Sequence, residues 1–452
     1  MKIIIAGCGK VGRTIVEQLS MEGHEIAIID RDAGTLQATT SAYDVIGVAG
    51  NAASYSTLKE AGIEDADLMI AATNSDEINM LSCLIANKAG RCHTIARVRS
   101  PEYTREVHLI KDELGLTMTI NPEQNAAIEM ARILRTPTAI KIDSFAAGRL
   151  ELMSFEIPGD NILDGLSVIE VRRQIQSELL ICAVERGDDV AIPAGGFTLH
   201  SGDIVHFVAE AHEAEKFFKA VGVGGKKIDS VMIVGGGKIA IYLAKILTGL
   251  GMKVKVIERE RSICEDLARE LPKATIICGD ASDQDVLLEE GVSVTPAFVS
   301  LTGIDESNVF FSLFARESNP KCKIITKINR ISYDSIIDKF GLGSIVSPRT
   351  MTAENIVSFV RAMQGGIGSN VETVYKLVKG KVEALEFIVK EDSAVRDIQL
   401  KDLNTKPNIL IAGITRGRSV IYPNGLTSMQ TGDRVVVVTT ETGIKDLDDI
   451  VM

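Results

Sequence analysis

An α/β fold laid down twice in tandem is what this sequence predicts, and three observations carry that prediction. Short apolar runs alternate with amphipathic helical stretches from the first residues onward, a glycine-rich turn joins the first run to the first helix, and both features return 228 residues later. Alternation of this kind builds a doubly wound parallel sheet. Each such stretch gives way to period-two alternation, which predicts a small, mostly antiparallel α+β domain. The expected order is a Rossmann-like domain over 1–136, a small domain over 137–224, a second Rossmann-like domain over 225–366 and a second small domain over 367–452.

The opening stretch, MKIIIAGCGKVGRTIVEQLSMEGHEIAIID, reads as strand, glycine turn, helix, strand and acid. Its pattern G-x-G-x-x-G is formed by Gly7, Gly9 and Gly12, with Cys8, Lys10 and Val11 between them. Gly7 permits a tight turn, Gly9 lets backbone N–H groups approach a pyrophosphate at the helix N-terminus, and Gly12 lets the helix lie close to the sheet. Asp30, 18 residues past Gly12, stands where a carboxylate accepts hydrogen bonds from ribose hydroxyls. Its charge disfavours a 2'-phosphate, an argument softened by the neighbouring Arg31. The alternative is a turn of this type kept only for packing.

Along the rest of the first domain, a short strand near Val45–Val48 leads into Gly50, Asn51 and Ala52, and a helix is expected over Ser54–Ala61. The apolar strand Asp67–Ala72 ends in Thr73, Asn74, Ser75, Asp76 and Glu77, at the edge where open α/β sheets bind ligands. A helix over Ile78–Lys88 and a strand over His93–Val98 follow, the latter placing Arg97 within reach of a base or phosphate. A helical segment and short strand are expected within Leu109–Ile120, then a long amphipathic helix over Pro122–Leu134.

The small domain alternates from residue 142 to 209, with turns at Asp164-Gly165, Arg186-Gly187-Asp188-Asp189 and Gly202-Asp203. A short helix over Ala211–Ala220 closes it, and Gly222, Gly224 and Gly225 form a linker. Then the order repeats. Gly235 matches Gly7, Gly237 matches Gly9, Lys238-Ile239 match Lys10-Val11, and Glu258-Arg259 match Asp30-Arg31. Asp280-Ala281, Thr302, Asp305, Asn308 and Lys327 correspond to Asn51-Ala52, Thr73, Asp76, Asn79 and Arg97. In the small domains Gly380–Glu383 answers Gly148–Glu151, Arg416-Gly417 answers Arg186-Gly187, and Gly432-Asp433 answers Gly202-Asp203. The copies differ at Ala240 for Gly12, Ile304 for Ser75 and Lys327 for Arg97, the last exchanging a planar fork for a flexible point charge. The second pocket therefore has two readings, a nucleotide site and a degenerate packing copy.

Composition excludes several classes of function. With 452 residues, 45% apolar and 24% charged, the chain has the balance of a soluble globular protein of several domains. A formal net charge of −12 without a basic tract argues against a nucleic-acid partner. No apolar stretch of membrane-spanning length and no signal sequence is expected. The seven cysteines form no CxxC pair and read as reduced and mostly structural, and the six histidines lack metal-ligand spacing. Within the glycine turn, Cys8 reads as a small side chain tolerated in a crowded place, against the alternative of a thiol activated by the helix N-terminus.

A dehydrogenase needs a proton-transfer residue beside the hydride acceptor. His24 and His93 precede their strands, at the end of the sheet away from the turn, and no Lys/Tyr or His/Asp pair reaches it. No catalytic residue is assigned. The duplicated layout instead points to a nucleotide that is read, its occupancy linked to domain positions; an NAD-dependent oxidoreductase is the alternative.

Taken together, GCGKVG, Asp30-Arg31, GNA at Gly50–Ala52, ATNSDEIN at Ala72–Asn79 and Ala96-Arg97 resemble the domains that regulate potassium conductance, the RCK/KTN or TrkA-N domains. The small domains resemble the matching TrkA-C domain, and the likeness, covering nearly all of the chain, is to the duplicated TrkA family of Trk potassium-uptake regulatory subunits. It implies a cytoplasmic, non-enzymatic protein that forms a homotetrameric ring, without inserting into the membrane itself, beneath an integral membrane potassium-translocating subunit. It further implies NAD(H) and ATP/ADP as ligands whose exchange changes the ring. On this resemblance Gly7, Gly9 and Gly12 hold phosphates, Asp30 the ribose, and Arg31 the adenine side or a phosphate. Asn51 and Ala52 border the adenine, Thr73 and Asp76 the region beyond the pyrophosphate, and Arg97 phosphates or a neighbouring domain. Cys8, Lys10, Val11 and Asn74 complete the first contact set. The second set is Gly235, Gly237, Lys238, Ile239, Glu258, Arg259, Asp280, Ala281, Thr302, Asp305 and Lys327. The helices Pro122–Leu134 and Thr352–Met363 are candidate surfaces for packing one unit on another; the alternative is that each only covers its own sheet.

Overall fold

The computed structural model describes residues 1–90, 92–135, 141–145, 149–187, 189–223, 228–329, 343–365, 371–377, 381–417, 419–441, 444 and 446–452. The expected domain junctions at 136/137, 224/225 and 366/367 lie outside these residues, as do Asp188, Gly224, Gly225 and the repeat matches at Gly148 and Gly380.

In the first half, β1 (Lys2–Ala6), β2 (Glu25–Asp30), β3 (Ile46–Ala49), β4 (Leu68–Ala71), β5 (His93–Arg97) and β6 (Met118–Ile120) form one parallel sheet of order 3-2-1-4-5-6. Between them run α1 (Lys10–Ser20), α2 (Ala33–Thr40), α3 (Tyr55–Glu60), α4 (Asp76–Gly90) and α5 (Pro101–Glu106), and α6 (Pro122–Arg135) follows. Reversal of strand order between β1 and β4 creates the crevice at the sheet's C-terminal edge where ligands of this architecture sit. The central strands are buried on both faces, so β4 is apolar at every position. One expectation fails here: the helix before β6 lies at Pro101–Glu106, not beyond Leu109. Ser100 is its N-cap and Pro101 supplies the first-turn φ that favours a helix start.

The first small domain is an antiparallel sheet of β7 (Lys141–Phe145), β8 (Leu150–Glu156), β9 (Leu179–Arg186), β10 (Asp189–Ala191) and β11 (Ile204–Ala209), ordered 10-9-11-8-7. Its helices are α7 (Val168–Gln174) and α8 (Ala211–Ala220). Period-two reading missed α7, which is announced by a capping box: the Ser167 hydroxyl accepts from the Glu170 N–H while the Glu170 carboxylate accepts from the Ser167 N–H.

The second half rebuilds the parallel sheet from β12 (Ser230–Val234), β13 (Lys253–Glu258), β14 (Thr275–Cys278), β15 (Ala297–Ser300), β16 (Lys323–Lys327) and β17 (Ser344–Val346), ordered 14-13-12-15-16-17. Its helices are α9 (Lys238–Gly249), α10 (Arg261–Glu270), α11 (Gln284–Glu289), α12 (Asp305–Ser318) and α13 (Pro348–Gly365). A second antiparallel sheet, β18 (Val371–Leu377), β19 (Val382–Ile388), β20 (Ile409–Arg416), β21 (Ser419–Ile421) and β22 (Arg434–Thr439), has order 18-19-22-20-21.

These elements group by similarity rather than by chain order. One compact unit comprises residues 1–131 and 228–357, which hold both parallel sheets; the other comprises 132–227 and 358–452, which hold both antiparallel sheets. Within the second unit, Phe145, Leu150, Leu152, Cys182 and Val208 share a core with Val382, Ala384, Ala412, Val436 and Val438, so the two small sheets bury one face against each other. The opposite face of the first small sheet packs on its helices, where Phe155, Phe207, Phe217 and Phe218 meet with ring centroids 5.1–6.0 Å apart. Among the described residues no helix is long and apolar enough to cross a membrane.

Candidate functional site

The site begins at the glycine turn. Gly7 has φ +97°, and a Cβ there would lie 2.9 Å from the Ala72 carbonyl, so neither the conformation nor the space admits a side chain. At Gly12 a Cβ would lie 1.8 Å from the Gly7 carbonyl oxygen, which is how closely α1 approaches the turn. An added Cβ at Gly9 or Gly237 meets nothing within 4 Å, leaving open space over both helix N-termini.

The acid closing each motif is held by backbone donors. Asp30 Oδ2 accepts from the Cys8 N–H at 2.6 Å and Oδ1 from the Asp32 N–H at 2.9 Å. Glu258 repeats this, accepting from the Gly236 and Glu260 N–H groups at 2.7 and 2.9 Å. Each carboxylate oxygen retains a lone pair for a further donor. Burial, and then the charge of Asp30, push the Cys8 thiol up to about 12, which leaves it an inert neutral side chain.

At the other side of the crevice a buried asparagine ties two strand ends together. Asn79 Oδ1 accepts from the Thr73 N–H and hydroxyl at 2.9 and 2.6 Å, while its Nδ2 donates to the Arg97 carbonyl at 2.9 Å. Asn308 makes the same bonds to Thr302 and Lys327. Asp76 turns away from the crevice: its Oδ2 accepts from the Arg99 and Ser100 N–H groups at 2.8 and 2.7 Å. Asp305 likewise accepts from the Asn329 N–H.

Between the two parallel sheets of this unit lies a cleft of about 1060 Å³. From the first half, Gly7, Gly9, Lys10, Val11, Asp30, Arg31, Asn51, Ala52, Thr73, Asn74 and Arg97 line it; from the second, Gly237, Lys238, Ile239 and Lys327 do. Cys8, Gly12 and Asp76 stand behind its wall. Gly235, Glu258, Arg259, Asp280, Ala281, Thr302 and Asp305 occupy the corresponding positions of the second sheet and do not line it. Six polar lining residues escaped the sequence reading: Asp32, Thr35, Arg99, Glu123, Asn329 and Arg349. Arg99 was legible as a second cation two residues past Arg97. Asp32, Thr35 and Glu123 belong to the first half's own crevice, and Asn329 and Arg349 depend on how the halves pair.

The cleft is cationic in an acidic chain. Lys10, Arg31, Arg97, Arg99, Lys238, Lys327 and Arg349 face only Asp30, Asp32 and Glu123. Arg97 and Arg99 approach Glu123 at 3.7 and 3.9 Å, longer than hydrogen bonds, and buried Arg97 Nε, Arg99 Nε and Glu123 Oε2 have no hydrogen-bond partner. Desolvation lowers the pKa values of Arg97 and Lys327. Buried cations with unused donors around open backbone are a match for phosphate oxygens, so the residues present fit a nucleotide. Among the described residues no group of His, Cys, Asp or Glu is placed to hold a metal ion.

The halves meet pseudo-symmetrically across this cleft. Tyr242 on α9 accepts from Asn121 Nδ2 at 3.0 Å and donates to the Arg99 carbonyl at 3.2 Å. Its counterpart Thr14 on α1 accepts from Arg349 Nε on α13.

Strand order, glycine turn and closing acid define a protein of the nucleotide-binding α/β class, duplicated within one chain. Comparison with known families is specific: residues 3–122 and 231–348 match the TrkA-N domain, and residues 152–222 and 384–452 match the TrkA-C domain. The chain belongs to the TrkA family of Trk potassium-uptake proteins, whose members are regulatory and not enzymes. It is similar to the Trk system potassium uptake protein TrkA homolog of Archaeoglobus fulgidus, 31% identical over 451 residues and 100% of both chains. It is also similar to the Trk system potassium uptake protein TrkA of Haemophilus influenzae, 31% identical over 97% of this chain and 95% of that one. Among solved structures, the GsuK channel bound to NAD shares the fold with a TM-score of 0.65 at 17% identity, over 97% of this chain and 77% of that one. GsuK bound to ADP does so with a TM-score of 0.52 at 15% identity, over 79% and 69%.

Proposed function

We propose that this chain is a nucleotide-sensing regulatory subunit of a Trk-type potassium uptake system, in which occupancy of the cleft sets how its two halves sit against each other. The carrying observation is that one cleft joins the glycine turn and Asp30 of the first half to Lys238, Lys327 and Arg349 of the second. A nucleotide held by its ribose at Asp30 and by its phosphates over Gly9 would be read by those cations according to how many phosphates it presents and where. NAD(H) and ATP/ADP are the proposed ligands, supported by the GsuK structures bound to NAD and to ADP. The proposed partner is an integral membrane potassium-translocating subunit, met through protein contacts by a homotetrameric ring of this chain on the cytoplasmic side.

Bound nucleotide would neutralise the crowded cations, an effect that differs with phosphate number and so changes the free energy of the paired halves. Calorimetric titration of the full chain with NADH, NAD, ADP and ATP tests this reading, with Gly9→Asp and Asp30→Ala as controls. Saturable binding weakened by both substitutions supports it. Affinities unchanged in both variants, or turnover of NADH with a small carbonyl substrate, overturn it.

A further inference from the structure

The second half carries a pair of thiols that the first half lacks. Cys264 lies in the first turns of α10 and Cys278 ends β14; the equivalent residues in the first half are Leu36 and Ala49. Both positions carry cysteine in the second half, although they are separated in sequence and adjacent only in the fold.

Their convergence follows from the packing. Cys278 pairs in parallel register with Glu258, and Ile276 with Val256. In the first half the counterpart of Ile276 is Gly47, where an added Cβ would lie 3.2 Å from Leu36 Cγ, so this face of the strand meets the helix. Two residues further along the strand, Cys278 shares that face. From the helix side, Cys264 Sγ reaches the Glu258 carbonyl at 3.2 Å. Burial, and then the hydrogen bond and charge of Cys278 itself, push the Cys264 thiol up to about 11. Cys264 is buried, whereas Cys278 is exposed; Cys8, Cys83, Cys92 and Cys182 are buried and Cys322 is half-buried. Cys278 is thus the solvent-facing thiol with a second thiol against it.

We propose that Cys264 and Cys278 form a reversible dithiol–disulfide site, oxidised by a low-molecular-weight disulfide. The Cys278 thiolate attacks one sulfur of the external disulfide, forming a mixed disulfide and expelling one thiolate, which takes up the proton Cys278 lost. Cys264, deprotonated as it attacks, then displaces the second external thiolate from Cys278, giving the internal disulfide and a second free thiol. Two protein thiols are oxidised and one external disulfide is reduced to two thiols. Exposure suits Cys278 to attack the external disulfide, and the place of Cys264 beside it suits Cys264 to resolve the mixed disulfide, a step its burial makes the slower of the two.

The bond would fasten α10 to β14 on either side of Glu258, the acid of the second glycine motif. That consequence rests on the nucleotide reading above, whereas the thiol chemistry stands without it.

The test is thiol mapping on the full chain. Protein is equilibrated with oxidised glutathione, free thiols are alkylated, and peptides are read by mass spectrometry. The expected product joins the Cys264 and Cys278 peptides, is reversed by dithiothreitol, and leaves the other four buried cysteines, Cys8, Cys83, Cys92 and Cys182, alkylated only after denaturation. Cys264→Leu, the residue of the first half, should accumulate one glutathione on Cys278; Cys278→Ala should take up none at Cys264. A glutathione adduct persisting on Cys278 in the unaltered protein, or both thiols remaining free at saturating oxidant, overturns the proposal. In the Gly9→Asp background, oxidation should change nucleotide affinity at least threefold, and Cys278→Ala should abolish the change. Mapped disulfide with no nucleotide bound in either state of this background upholds the thiol site and counts against the second glycine motif as a nucleotide site. Mapped disulfide with bound nucleotide of unchanged affinity overturns the coupling to Glu258.

Discussion

Glu123 and Arg349 stand at equivalent positions of the two halves, each following a proline in the first turn of a long helix, and carry opposite charge. Glu123 faces the arginines of its own half, and Arg349 crosses to Thr14 of the other. The two lobes of one cleft are therefore electrostatically unlike, although the folds around them are copies.

Arg349→Ala should weaken ATP more than NADH, by about tenfold or ~1.4 kcal/mol, because a charge-assisted contact to phosphate is lost. Calorimetry of the variant with both ligands checks this, and equal losses would argue for a purely structural role at Thr14.

Gly12→Ala should destabilise the chain by about 2–3 kcal/mol, since its Cβ would overlap the Gly7 carbonyl and push α1 from the sheet. The reverse change in the second half, Ala240→Gly, should cost about 1 kcal/mol, mainly through helix propensity. Urea unfolding midpoints of the two variants distinguish these outcomes.

Asn79→Ala should cost about 2–3 kcal/mol, because it removes a fully buried amide and frees the half-buried Thr73 N–H and hydroxyl and the Arg97 carbonyl. Nucleotide affinity should fall with it, since the strand ends bearing Thr73 and Arg97 lose their tie. Unfolding curves and titrations of one variant read both effects.

The first small domain should lose stability in acid through Asp203. Its desolvation alone would raise the pKa, but the Arg186 fork, at 2.7 Å on each oxygen, and the His200 N–H outweigh this and hold it below the usual carboxylate value. A depressed folded pKa adds stability above the unfolded value of about 3.9 that is lost as pH falls through the folded one. Asp203→Asn should therefore cost about 2 kcal/mol at pH 7 and flatten the stability profile below about pH 4. Thermal unfolding from pH 7 to 3 measures both.

What the sequence made legible was local. Gly7, Gly9, Gly12 and Asp30 lie in one strand–helix–strand segment, so their spacing alone specifies how they meet. The repeat was legible because equivalent motifs return in order, down to Asn79 and Asn308. The α5 start at Pro101 was missed although Ser100-Pro101 is a helix-entry signal, because the apolar residues after it drew the reading toward Leu109. Asn329 and Arg349 lay beyond local reasoning, since they meet the first half's glycine turn only when two sheets more than 200 residues apart in the chain pair through Tyr242 and Thr14, whereas Glu123 is set beside Arg97 and Arg99 by its own half.

The central claim, that the second half reads a nucleotide held by the first, is tested most directly by ATP titration of the full chain carrying Lys238→Ala. Lys238 lines the cleft from the N-terminus of α9 and belongs to the other half from Gly9 and Asp30. The account predicts an ATP affinity at least tenfold weaker than that of the unaltered chain, with NADH affected less. Unchanged ATP affinity, in a protein whose ATP binding is still weakened by Gly9→Asp, would contradict it.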